Sequence, residues 1–134
     1  MQLFLDTANI DQIKQAKALG VISGVTTNPT LLCREATADY EAVTRKICEI
    51  IDGPVSIEVL AEAAEEMVKE ARIKASWAPN VNIKIPITPE GLKATKTLSG
   101  DGIRVNMTLC FSPNQALLAA LAGASYVSIF IGRL

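Results

Sequence analysis

Short runs of aliphatic and β-branched residues alternate along the chain with segments whose apolar positions recur at helical spacing. The runs predict strands at Gln2–Asp6, Ile22–Thr26, Val55–Val59, Val81–Ile85, Ile103–Met107 and Tyr126–Ile131, with five helices between them. Such alternation is the signature of βα units around a parallel sheet. Asn9 with Gln12, and Ser112 with Gln115, have capping-box spacing, while Pro89 and Pro113 stand at first-turn positions after Thr88 and Ser112. In the second helix Val43, Ile47, Ile50 and Ile51 share one stripe. The segment from Ala116 to Ala122 is apolar nearly all round and ends at Gly123, so it is expected to be buried on most sides.

Within the strands, alternate residues point to opposite faces. One face is aliphatic: Leu3, Leu5, Val55, Ile57, Val59, Val81, Ile83, Ile85, Ile103, Val105, Met107, Val127, Ile129 and Ile131. The other collects Asp6, Ser56, Glu58, Asn82, Lys84, Arg104, Asn106, Thr108 and Ser128, with Asn28 just past the second strand. A doubly wound, flavodoxin-like sheet carries helices on both faces, so its central strands should be apolar on both. A (β/α) barrel carries helices outside only and builds its active site from inward residues at the C-terminal strand ends. Lys84 and Glu58 fall in the middle of the strand order, which favours the barrel. Eight βα units typically need about 250 residues. The six strands of residues 1–134 are therefore expected to form an incomplete (β/α) barrel domain, an amino-terminal portion lacking the last two βα units.

Composition narrows the chemistry. A length of 134 residues with 49% hydrophobic and 20% charged positions suits one globular domain. A net charge of -1 with interspersed signs gives no basic stripe, so neither nucleic acid nor a membrane surface is an expected partner. Apolar stretches fall short of the roughly 20 residues of a membrane span, and a cytoplasmic address is expected. Cys33, Cys48 and Cys110 form no CxxC pair and are expected to be buried, reduced thiols. The chain has no histidine, which removes the usual general base and most catalytic zinc sites. Its chemistry must run on lysine, carboxylates, hydroxyls and amides.

Lys84 is set within Val81-Asn82-Ile83-Lys84-Ile85-Pro86, an apolar strand where a lysine is costly unless useful. Desolvation favours a neutral amine, which can attack a carbonyl and form a Schiff base. An edge lysine that blocks aggregation, or one paired with Glu58, would carry the same pattern. Asp6 and Glu58 add two inward carboxylates suited to proton transfer, although a single acid could be a structural partner of Lys84. With Asn28, Asn106, Thr108 and Ser128, this set suits a polyhydroxylated substrate better than a dry core.

The strings Leu5-Asp6-Thr7-Ala8, Gly24-Val25-Thr26-Thr27-Asn28-Pro29-Thr30 and Ile83-Lys84-Ile85-Pro86 closely resemble the small-subunit transaldolase family. The resemblance runs over essentially all 134 residues. It implies a (β/α)8 TIM barrel of the class I aldolase type. The implied reaction moves a dihydroxyacetone unit between sugar phosphates in the pentose phosphate pathway: sedoheptulose 7-phosphate and glyceraldehyde 3-phosphate give erythrose 4-phosphate and fructose 6-phosphate. By this resemblance Lys84 forms the Schiff base, Asp6 is the acid-base residue, and Glu58 and Thr108 hold a proton-relaying water. Asn28, Thr26, Asn106, Ser128, Phe130 and Arg133 match substrate contacts, with Arg133 a bidentate grip on phosphate. The sister fructose-6-phosphate aldolases typically carry Gln at the position of Glu58 and Tyr at that of Phe130, so the transferase is preferred. Ile129 stands where the family commonly has Pro.

The resemblance further implies sugar-phosphate substrates, neither metal nor organic cofactor, and a ring-shaped homo-oligomer for the full-length protein. A non-catalytic barrel fragment, serving at most in binding or assembly, is the alternative from a different class. A metal-dependent aldolase is disfavoured because no histidine is available for zinc.

Overall fold

The structure, a computed structural model, describes residues 1–34 and 39–133, without the side chains of residues 32–34 and 133. Six strands, β1 (Phe4–Asp6), β2 (Gly24–Thr26), β3 (Val55–Glu58), β4 (Val81–Pro86), β5 (Val105–Cys110) and β6 (Tyr126–Ile129), are joined through helices. The helices are α1 (Ile10–Ala18), α2 (Pro29–Arg34), α3 (Tyr40–Ile50), α4 (Ala64–Ala75), α5 (Pro89–Gly100) and α6 (Pro113–Ala122). The strands follow sequence order, and β1–β2, β2–β3, β4–β5 and β5–β6 all pair parallel. A flavodoxin-like sheet would reverse its order at a switch point. Unreversed order with a helix in each crossover is the connectivity of a partial (β/α) barrel.

Contacts divide the chain into two compact units: Met1–Glu58 with Ser76–Val81, and Val59–Ala75 with Asn82–Leu134. In the first unit Ile13 of α1, Ile47 of α3 and the strand residues Val25, Val55 and Ile57 are fully buried. The segments leading into β2 and β3 approach so closely that a Cβ on Gly53 would lie 1.8 Å from the Ser23 carbonyl oxygen. Asn80 closes the C-terminal end of α3, donating from Nδ2 to the carbonyls of Ile51 at 2.7 Å and Gly53 at 3.1 Å. In the second unit Ile83, Ile85, Val105 and Met107 of the strands, Ala71 of α4 and Leu98 of α5 belong to a core without exposed area.

The expected N-caps form: Asn9 Oδ1 accepts the Gln12 N–H at 3.0 Å and Ser112 Oγ that of Gln115 at 3.2 Å, while Gln12 Oε1 accepts from Thr7 Oγ1 and Gln115 Oε1 from the Phe111 N–H. Thr88 caps α5, and Gly123 ends α6 in the left-handed region at φ 96°. Other expectations need correction. Among the described residues six α-helices replace the five predicted, because Pro29 opens the short α2 instead of extending a turn. Strand β5 starts at Val105, two residues late, since the Ile103 N–H is spent on the Leu98 carbonyl at 2.9 Å, closing α5. Arg104 is consequently exposed and off the strand.

Helix α6 is not buried on most sides. It packs on α5, β5 and β6, with Ala119 and Ala122 buried, while Leu117, Leu118 and Leu121 are exposed. The small alanines permit the closest approach, and the leucines on the other faces project away from the unit. The aliphatic row also opens at its ends, where Leu3, Ile129 and Ile131 are more than half exposed.

The segment after β3 is tied down by Glu70 of α4. Its carboxylate accepts the N–H groups of Leu60 and Ala61, each at 2.9 Å, and meets the buried Lys74 ammonium at 2.6 Å. Burial alone would raise the Glu70 carboxyl, but the Lys74 bond and the two backbone donors outweigh it and hold it below its ordinary range. A carboxyl depressed by folding adds stability that is present above its unfolded value and lost as pH falls through the folded one. Glu70→Gln should therefore cost roughly 1–3 kcal/mol at pH 7. It should also flatten the loss of stability on acidification below about pH 4. Circular dichroism melts across that range check both effects.

Candidate active site

In the first unit the polar residues gather at the C-terminal strand ends. Asp6 and Thr26 are register partners on β1 and β2, and Thr26 Oγ1 donates to Asp6 Oδ1 at 2.8 Å. The hydroxyl thereby orients one carboxylate oxygen and leaves Asp6 otherwise exposed. Thr27 points the opposite way, buried, with Oγ1 donating to the Ser56 carbonyl at 3.0 Å. Asn28 follows directly, and its Oδ1 accepts the Leu31 N–H at 2.9 Å. Asn28 is thus the N-cap of α2. With the oxygen so engaged, the remaining hydrogen-bonding capacity of the amide lies in its two Nδ2 donors. Glu58 ends β3, half-buried, and the Tyr40 hydroxyl fixes its backbone by donating to its carbonyl at 2.9 Å.

In the second unit Lys84 is 6% exposed, at the centre of β4 and between the fully buried Ile83 and Ile85. Its carbonyl accepts the Val59 N–H at 3.2 Å. Asn106 is its register partner on β5, and Asn106 Oδ1 accepts the Ser128 hydroxyl at 2.8 Å. Thr108, opposite Pro86, is buried, and its Oγ1 has no hydrogen-bond partner among the described residues. Such a hydroxyl is costly unless something polar meets it. Phe130, after β6, lies 5.7 Å from the ring of Phe111. The side chain of Arg133 lies outside the described residues, as does that of Cys33.

Each unit thus brings one polar cluster together: Asp6 with Thr26, and Asn106 with Ser128 in register with Lys84. Phe111 escaped the sequence reading because strict alternation puts it on the aliphatic side. Among the described residues no cluster of His, Cys, Asp or Glu is placed to hold a metal ion, and no helix is long and apolar enough to cross a membrane. Cys110 is buried, whereas Cys48 is only half-buried, its thiol pushed up to about 11 by burial against the lowering effect of Arg45.

A sequence model of the transaldolase/fructose-6-phosphate aldolase family matches residues 3–134. The chain belongs to this family. It is 58% identical to a probable transaldolase of Dehalococcoides mccartyi, 60% to one of Methanococcus maripaludis and 61% to one of Desulforudis audaxviator. Each match covers the whole chain and 62% of the relative's length. In this transaldolase-family chain the strings around Asp6, Asn28 and Lys84 therefore stand within a match that spans both units.

The capping role of Asn28 is open to experiment. Asn28→Ala should cost about 1 kcal/mol through loss of the α2 cap. Asn28→Asp keeps the acceptor and should stay near wild-type stability. Thermal melts check this; equal destabilisation by both would remove the cap assignment.

Proposed function

We propose that the protein is a transaldolase in which Lys84 carries a dihydroxyacetone unit between sugar phosphates in the pentose phosphate pathway, in the cytoplasm. The observation that carries this reading is the burial of Lys84 at the centre of β4, with Asn106 as its register partner on β5. Family membership supports the reaction class, and the relatives named probable transaldolase, with Glu58 and Phe130 in this chain, favour transfer over simple aldol cleavage.

The Lys84 amine attacks the ketose carbonyl, and loss of water leaves an iminium ion. Deprotonation of the hydroxyl beyond the adjacent carbon breaks the carbon–carbon bond, releases an aldose phosphate and leaves the three-carbon enamine on Lys84. The enamine carbon then attacks the acceptor aldehyde, and water hydrolyses the new iminium to free the product. Asp6 serves as the acid-base group in the bond-cleaving step, held ready by the Thr26 hydroxyl. Glu58 and Thr108 position the water that relays protons. Asn106, oriented by Ser128, and Asn28 bind substrate hydroxyls, Phe130 contacts the substrate, and Arg133 grips the phosphate.

Borohydride reduction in the presence of fructose 6-phosphate should fix one three-carbon adduct on the peptide bearing Lys84, seen by mass spectrometry and abolished in Lys84→Met. Lys84→Arg keeps the charge and should be equally inactive. An adduct on Lys93 or Lys96 would overturn the assignment. Glu58→Gln should lower kcat by about 10²-fold or more with little change in KM, because a water-positioning carboxylate acts mainly in the transition state. Unchanged kcat with a raised KM would make Glu58 a binding residue instead.

A further inference from the structure

The register of the last two strands contains an irregularity. Met107 pairs with Val127 and Cys110 with Ile129, so β5 advances three residues while β6 advances two. The additional residue is a β-bulge, and its backbone is Leu109 at φ 59°. Among the described non-glycine residues Leu109 alone has a positive φ. A leucine there is strained, and neither a glycine nor an asparagine relieves the position.

Strict alternation would place Val105, Met107, Leu109 and Phe111 on the aliphatic face. The bulge breaks that parity. Cys110 takes the aliphatic position and is fully buried, while Leu109 is displaced outward and exposed. Phe111 is turned toward the ring of Phe130, and Gln115 holds its N–H at 2.8 Å. The residue immediately before the bulge is Thr108, with its buried, unpartnered hydroxyl and its carbonyl accepting the Ile87 N–H at 2.9 Å.

We propose that the left-handed backbone at Leu109 is a positioning device for the reaction: it aims the Thr108 hydroxyl and sets Phe111 beside Phe130 as a wall of the sugar-phosphate site. The inference rests on the transferase reading above. Leu109 touches no reacting atom; it acts through its neighbours. Bulges concentrate beside active sites because one added residue re-aims a side chain without rebuilding the sheet.

The test uses three variants of the intact protein. A β-branched residue tolerates the left-handed region worst, so Leu109→Val should lower kcat by roughly 10- to 100-fold with KM nearly unchanged, the signature of a displaced Thr108. Leu109→Gly adopts the same φ freely and should recover most of that loss. Phe111→Ala leaves the bulge intact and should mainly raise KM. The inference is overturned if Leu109→Val matches wild type, if Leu109→Gly is as slow as Leu109→Val, or if Phe111→Ala leaves both constants unchanged. Should Leu109→Val fail to fold, the Phe111→Ala arm decides. Borohydride trapping on Lys84 in the same preparations separates the two ideas. A wild type that forms no adduct overturns the transferase reading and the inference with it, whereas trapping in every variant with unaltered rates overturns the inference alone.

Discussion

A strand sends successive side chains to opposite faces, and this protein depends on sealing one of those faces with aliphatic groups. Val25, Val55 and Ile57 in one unit, and Ile83, Ile85, Val105 and Met107 in the other, are buried without remainder. Only because that face is saturated must the residues between them stand on the opposite one. Asp6, Glu58, Lys84, Asn106 and Thr108 occupy those alternate positions. Moving any strand by one residue would exchange the two sets and bury charges against helices, so the same hydrophobic contacts that stabilise the units hold the polar register.

Polar groups on the opposite face are then oriented by one another rather than by core packing. Thr26 directs a carboxylate oxygen of Asp6, and Ser128 directs the amide of Asn106. Both are short bonds between side chains on neighbouring parallel strands, where register already brings the donor near the acceptor. Little ordering entropy remains to be lost when a ligand arrives. Asn28 is held differently, since the bond by which its oxygen caps α2 also fixes the direction of its amide donors.

Helix termini and loops supply the remaining precision. Glu70 draws the backbone after β3 onto α4 and neutralises a lysine in the same gesture, while Asn80 gathers the carbonyls that follow α3. Glu90, from the first turn of α5, accepts the Ala64 N–H at 3.0 Å and completes the start of α4. Each uses one long polar side chain to satisfy backbone groups that helices leave open.

The sequence by itself determined the α/β alternation, the capped starts of α1, α5 and α6, the two-faced strands and the lysine within an apolar strand. All of these follow from local periodicity and from side chains acting within a few residues of their own position. It also carried the family, through the strings around Asp6, Asn28 and Lys84. Tertiary structure decided what depended on partners distant in the chain. Which side of α6 packs could not be read from a helix that is apolar all round; contact with α5, β5 and β6 selected the alanines and left the leucines exposed. The start of β5 was set by Ile103 closing α5. The bulge at Leu109 had no glycine or asparagine to announce it. Its conformation exists because pairing with β6 requires it, and with it comes the turn of Phe111 toward Phe130. A residue's own chemistry names its secondary structure and its face, but strain and offset register arise only where two strands must agree.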